Sequence, residues 1–262
     1  MGLTRKSTGI YTFLEEFHTD SSGYQAIIAL AGNPNTGKST VFNGLTGLNQ
    51  HTGNWPGKTV TLAKGFYQHK GKQIALVDLP GTYSLLAQSV EEQVARDFIC
   101  FGEPDAVVVV TDATCLERNL NLTLQIMEIT SQVVMCLNLM DEAKRKNIHI
   151  DHEKLAKLLG IPIVPTAARS KEGLSALKDA IDQTVSGGKR LRPKTVCYDQ
   201  ELETTLAELT SDFSSTFSSR INSRWLALRL LDSDFTMVKQ ILRYINKTGN
   251  NLPSSSEEGL DL

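Results

Sequence analysis

Between Gly32 and Ser39 the chain reads Gly-Asn-Pro-Asn-Thr-Gly-Lys-Ser. These are residue types that can grip a polyphosphate. Gly32 and Gly37 let the backbone turn its N–H groups inward around an anion, Lys38 can reach the β- and γ-phosphates, and the Ser39 hydroxyl can ligate Mg²⁺. Asn33, Pro34, Asn35 and Thr36 within the turn, and Thr40 just beyond it, belong to the same expected nucleotide-contacting set. The pattern arises by chance in roughly one chain in a hundred of this length. An apolar run, Ala26 to Ala31, stands before it and a helix-permitting stretch after it, which is the strand, turn and helix start that a phosphate loop needs.

A phosphate loop says only that a nucleoside triphosphate binds; the base is chosen further along. In Asn138-Leu139-Met140-Asp141, after a buried-strand pattern, the Asp141 carboxylate can accept from guanine N1–H and the exocyclic amine while Asn138 reaches N7 and the loop. Adenine offers no such donor pair, and an unpaired carboxylate rejects it. The usual GTPase pattern is Asn-Lys-x-Asp, and Leu139 stands where a lysine stem would cover the base, so modest affinity and quick exchange are expected. Asp78-Leu79-Pro80-Gly81 fits a strand-end carboxylate that holds Mg²⁺ through water, with the Gly81 N–H meeting the γ-phosphate. Thr59 is the expected hydroxyl and carbonyl closing over Mg²⁺. Ala167-Ala168-Arg169 sits where GTPases read Ser-Ala-Lys, so Ala167 and Ala168 join the base-contacting set, the Ala168 N–H toward guanine O6.

The elements that must position these residues follow from periodicity. Strands are expected at 26–31, 59–67, 73–77, 107–110, 133–137 and 161–164, and helices at 39–45, 89–100, 116–129, 151–160 and 173–184, with Ser89 and Asp151 as N-caps. Residues 47–58, rich in Gly, Asn and His, read as a long functional loop. Alternation of this kind implies an α/β P-loop GTPase fold, a mainly parallel sheet of six or seven strands covered on both faces. Ser186-Gly187-Gly188 is a linker signal, and beyond it helix-like stretches at 202–209, 221–231 and 235–245 imply a small all-α domain. The expected organisation is therefore an N-terminal extension over 1–24, polar with scattered aromatics, a nucleotide domain over 25–186, and a helical domain over 187–262 whose Ser- and Glu-rich end is loose.

Composition narrows the partners. A net charge of −2 over 262 residues gives no basic field for nucleic acid. The four cysteines form no Cys-x-x-Cys pair and read as reduced thiols of a cytosolic protein. The longest purely apolar run, Ala106 to Val110, is too short to span a bilayer, so a soluble chain is expected. His149 and His152, which flank Asp151, read as solvated residues at a helix start rather than as a metal cluster.

Taken together, Gly32 to Ser39, Gly53-Asn-Trp-Pro-Gly-Lys-Thr59, Asp78-Leu-Pro-Gly-Thr-Tyr-Ser-Leu85 and Asn138-Leu-Met-Asp141 closely resemble the amino-terminal G domain of FeoB, the bacterial ferrous-iron transporter. The likeness covers about 25–186, and the stretch behind it looks like that family's helical domain. It implies GTP hydrolysis, with Asn35, Lys38 and Gly81 as catalytic residues, GTP or GDP and Mg²⁺ bound (Ser39, Thr59 and Asp78 around the metal), and a role in regulating or driving ferrous-iron uptake. Thr82 and Tyr83 follow Gly81 where many GTPases carry a water-orienting glutamine. The resemblance implies K⁺ in compensation, held by Asn35 with carbonyls of Gly53 and Trp55. Implied partners are a membrane permease domain of the same full-length chain, small cytosolic Feo proteins and a second copy in a homo-oligomer, at the cytoplasmic face of the bacterial inner membrane. A soluble RNA- or ribosome-associated K⁺-dependent GTPase shares the nucleotide elements but would be expected to carry a basic face. A binding switch that hydrolyses only with a partner's help would also fit the missing glutamine.

Overall fold

The computed structural model describes residues 23–48, 50–54, 60–86, 89–187, 193–216, 222–232, 237–238 and 241. Its contacts divide the chain after Thr195 into two units.

In the first unit seven strands form one sheet: β1 (Ala26–Gly32), β2 (Gln50–Asn54), β3 (Thr61–His69), β4 (Lys72–Asp78), β5 (Ala106–Asp112), β6 (Val133–Asn138) and β7 (Ile163–Pro165). Their order is β2-β3-β4-β1-β5-β6-β7. From β4 to β7 every pairing is parallel, with Leu30 opposite Asp78 and Gly32 opposite Val110; β3 is antiparallel to both β2 and β4. Strands β1 and β6 are buried along their whole length and β5 up to Asp112, which explains their unbroken apolar sequences: both faces of the sheet are covered, so no alternation is required. The helices are α1 (Lys38–Thr46), α2 (Val90–Phe101), α3 (Leu116–Ile129), α4 (Met140–Arg145), α5 (His152–Leu159) and α6 (Leu174–Val185). Ser89 and Asp151 cap α2 and α5 by accepting from Glu92 N–H and Lys154 N–H. Ile28, Leu30, Phe42, Leu76, Val108 and Leu177 belong to one hydrophobic cluster of the core.

One expected loop is partly a strand. Residues 50–54 lie within the stretch read as connection, yet they pair with β3, Gly53 opposite Leu62. Gln-His-Thr-Gly-Asn carries no apolar alternation; it joins the sheet through main-chain bonding to an open edge. Trp55 and Thr59 lie outside the described residues. So does most of the N-terminal extension.

In the second unit α7 (Gln200–Thr216) and α8 (Ser223–Leu231) pack through Leu206, Ala227 and Leu228. Asn222 caps α8, and Glu203 and Arg224 join the two helices in a two-pronged ion pair. Of the third expected helix only Met237, Val238 and Ile241 are described, in helical conformation with Met237 and Ile241 buried. Among the described residues no helix is long and apolar enough to cross a membrane.

Candidate functional site

The site stands at the C-terminal ends of the parallel strands, where open α/β sheets place their ligands. Gly32 ends β1, and a Cβ there would stand 2.6 Å from the Val110 carbonyl oxygen, so the chain leaves the sheet against a neighbour that admits no side chain. Asn35 at φ 66° and Gly37 at φ 81° take the left-handed conformation that curls the loop before α1 begins at Lys38. At Gly37 a Cβ would also strike the Asn138 amide nitrogen at 2.5 Å. Inside the turn the Thr36 hydroxyl donates to the Asn33 carbonyl at 2.9 Å.

Strand pairing sets Asp78 beside the base of this loop, and its carboxylate is ion-paired with the Lys38 ammonium. Burial lifts the Asp78 carboxyl above its ordinary range, an effect that the neighbouring Lys38 charge and hydrogen bond oppose. The ion pair also brings Asp78 to the first turn of α1, where Ser39 follows Lys38. A hydroxyl and a carboxylate are hard oxygen donors suited to Mg²⁺, so the described part of the expected magnesium set fits that ion. Beyond Asp78, the Leu79 N–H donates to the Leu30 carbonyl and the Thr82 N–H to the Gly32 carbonyl at 3.2 Å. Gly81 faces Pro34: a Cβ on it would stand 3.4 Å from the Pro34 Cα.

The other half of the site is a buried polar knot. Asn138, 1 % exposed, donates from Nδ2 to the Thr36 carbonyl at 2.9 Å and accepts at Oδ1 from the Ala168 N–H at 3.1 Å and the Thr166 hydroxyl at 3.2 Å. Its amide thus ties the phosphate loop to the turn after β7, and one amide hydrogen remains for a ligand. The Ala168 N–H, expected to face a guanine oxygen, is bonded to Asn138 here. Leu139 holds a left-handed backbone, φ 63°, and α4 starts behind it with exposed Asp141 in its first turn. A Cβ on Gly37 would lie 3.9 Å from Leu139 Cδ2, so the side chain that replaces lysine rests against the phosphate loop.

A scan against protein families matches residues 26–181 to the family described as Ferrous iron transport protein B and residues 198–258 to the FeoB cytosolic helical domain. The chain belongs to the FeoB family. An Fe(2+) transport protein A/Fe(2+) transporter FeoB fusion protein of Porphyromonas gingivalis is 36% identical over 241 residues, which are 90% of this chain and 28% of that one. This chain therefore spans little more than a quarter of the length of that FeoB relative. Among solved structures, the cytosolic domain of the T. maritima FeoB iron transporter in a GDP form matches with a TM-score of 0.76 at 36% identity, covering 90% of this chain and 89% of that one. Its GMPPNP form matches with 0.76 at 37%, covering 89% of each. The P-loop GTPase fold followed by a helical domain is that of FeoB cytosolic domains.

Within this FeoB frame the residues expected from sequence fall into three groups. Gly32 to Thr40, Asp78, Gly81, Asn138, Asp141, Ala167 and Ala168 stand on strand ends, turns and helix starts at one end of the sheet. Gly53 lies on β2, with β3 and β4 between it and β1. Thr59 and Trp55 are outside the described residues. Thr166 was missed by sequence reasoning. It is a lone threonine after a three-residue strand, with no spacing pattern to betray it, yet its hydroxyl fixes the orientation of Asn138. A cavity of about 90 Å³ lined by Tyr67, His69, Lys72 and Lys178 lies at the opposite end of the sheet, where β1 and β4 begin.

Proposed function

We propose that this chain binds GTP and GDP and hydrolyses GTP to GDP and phosphate, and that in the full-length protein this regulates or drives ferrous-iron uptake. The carrying observation is the Asn138 knot: one side chain joins the phosphate loop to the turn beside the base-selecting loop, an arrangement that aligns a triphosphate with a base. The FeoB cytosolic domains in GDP and GMPPNP forms support guanine over adenine, as does Asp141, whose carboxylate accepts the two adjacent guanine donors.

Lys38 leaves its Asp78 pairing to meet the β- and γ-phosphates, and the loop N–H groups between Asn33 and Ser39 surround the charge that moves toward the β–γ bridge. Gly81, seated on Pro34, offers its N–H to the γ-phosphate. Bound Mg²⁺, held by Ser39 and Asp78 with Thr59 as the expected third donor, would neutralise the phosphate oxygens. No glutamine follows Gly81 to orient the attacking water, and the need for another group to stabilise the charge developing at the β–γ bridge is the reason to propose K⁺ stimulation through Asn35. Partners at the cytoplasmic face of the inner membrane are the permease portion of the same chain, a small Feo protein of the kind fused in the P. gingivalis relative, and a second copy.

Calorimetry with GDP, GTP and ATP in Mg²⁺, followed by phosphate release in KCl and NaCl, tests this. Heat with guanine nucleotides and faster release in KCl are expected; no heat, or preference for ATP, overturns the assignment. Asn35→Ala is expected to abolish the K⁺-over-Na⁺ rate ratio, and an unchanged ratio removes potassium from the proposal.

A further inference from the structure

The segment after Gly81 is clipped to a helix that carries none of the nucleotide motifs. Thr82 to Leu86 form a small self-bonded turn: the Thr82 hydroxyl donates to the Ser84 carbonyl at 2.7 Å, and the Leu86 N–H donates to the Ser84 hydroxyl at 3.0 Å. Two side chains of α3 hold this turn. The Arg118 guanidinium sits 4.2 Å from the centre of the Tyr83 ring, and the Gln125 Oε1 accepts from the Leu85 N–H at 2.7 Å. Positions 118 and 125 are seven residues apart, so they share one face of the helix. On its other side the turn is bonded to the phosphate loop through the Thr82 N–H and Gly32 carbonyl, next to Gly81 on Pro34.

We propose that Arg118 and Gln125 are positioning residues for GTP hydrolysis: by gripping Tyr83 and Leu85 from α3 they keep Gly81 seated against the phosphate loop, where its N–H meets the γ-phosphate. The proposal rests on the hydrolysis reading above. Neither side chain belongs to the expected nucleotide-contacting set. Their effect falls on the rate at saturating GTP rather than on binding, because the loop, Lys38 and the base corner are untouched. Tyr83 stands 42 % exposed, so a cation over its ring is a modest, surface-type clamp.

The test uses the whole 262-residue chain. Arg118→Ala and Gln125→Ala are each expected to lower kcat about threefold to fivefold with KM for GTP and GDP affinity within about twofold of wild type. Arg118→Lys and Tyr83→Phe are expected to keep most of the rate, since each preserves a cation or a ring. Arg118→Ala combined with Tyr83→Ala is expected to be no slower than the slower single variant. Amide exchange over 82–86 is expected to quicken in both alanine variants of α3, with the strands of the sheet unchanged. Unchanged kcat in both, multiplying losses in the double variant, or Tyr83→Phe as slow as Tyr83→Ala overturns the proposal. A wild-type chain that binds GTP without turning it over sinks the hydrolysis reading, and the exchange measurement still decides whether α3 holds the turn.

Discussion

The two sides of the nucleotide site are built differently. On the base side, Asn138, Thr166 and Ala168 are buried, and the Asn138 amide is bonded to Thr166, Ala168 and Thr36. On the γ-phosphate side, the turn after Gly81 is held by single backbone bonds, a surface ring and a glutamine, and Leu86 within it is 52 % exposed. A buried polar knot admits one arrangement, because every broken bond leaves an unsatisfied group; a surface clip can open and close at small cost. Under the proposed function the difference divides the jobs: the base corner would select and anchor, and the outer segment would respond to what the phosphates become.

The largest expected effect breaks the anchored side. Asn138→Ala removes the partner of three buried groups at once. Guanine-nucleotide affinity is expected to fall about a hundredfold, as two or three hydrogen bonds' worth of order is lost. Stability of the nucleotide domain is expected to drop by about 3 kcal/mol, or roughly 6 to 12 °C in melting temperature. Calorimetry and a melting curve read both; an affinity change without a melting change would show that the knot is not what holds the corner together.

Next, Lys38→Ala strikes the reacting side. Turnover is expected to fall about a hundredfold or more, as for removal of one preorganised donor, with a smaller melting change than for Asn138→Ala. Single-turnover phosphate release checks it. Equal losses of stability in the two variants would erase the contrast between the sides.

A milder variant sharpens it. Thr166→Val keeps the shape and removes the hydroxyl from Asn138, and about 1 kcal/mol of stability with a fewfold loss of GDP affinity is expected. Thr52→Ala, on the edge strand β2, is expected to cost less than about 1 kcal/mol, since the change leaves the main-chain pairing with β3 in place. Were Thr52→Ala the more damaging, the outer edge would be structural rather than responsive.

Legibility in sequence followed the same divide. The glycine-bearing loop, the strand-end Asp78 and the Asn138-to-Asp141 element were readable as short contiguous motifs at strand ends, and the structure sets all three at one end of the sheet. Unbroken apolar runs such as Val107 to Val110 gave the sheet. Thr166 was hidden because its partner lies 28 residues away, and Arg118 and Gln125 because they meet Tyr83 and Leu85 only through tertiary packing. Strand β2 was hidden because its bonds are main-chain bonds to β3, which ask nothing of its side chains.

The smallest expected effect lies in the second unit, and it tests whether surface clips are weak throughout the molecule. Arg224 grips both oxygens of Glu203, at 2.8 and 2.7 Å, and the Tyr198 N–H adds a third bond at 2.9 Å. Together, Arg224 first, they pull the Glu203 carboxyl from its ordinary 4.5 down to about 2. A depressed folded-state pKa means that the pair's stabilisation is complete above about 4.5 and disappears as pH falls toward 2. Because Glu203 is still partly open to solvent, the effect on melting is expected to be slight and to shrink further in high salt. Carboxyl titration followed by NMR is expected to show Glu203 ionising well below 4.5 and returning toward that ordinary value in Arg224→Ala. A Glu203 that titrates normally in the unaltered chain would mean that this pair, unlike the Asn138 knot, is geometry without energy.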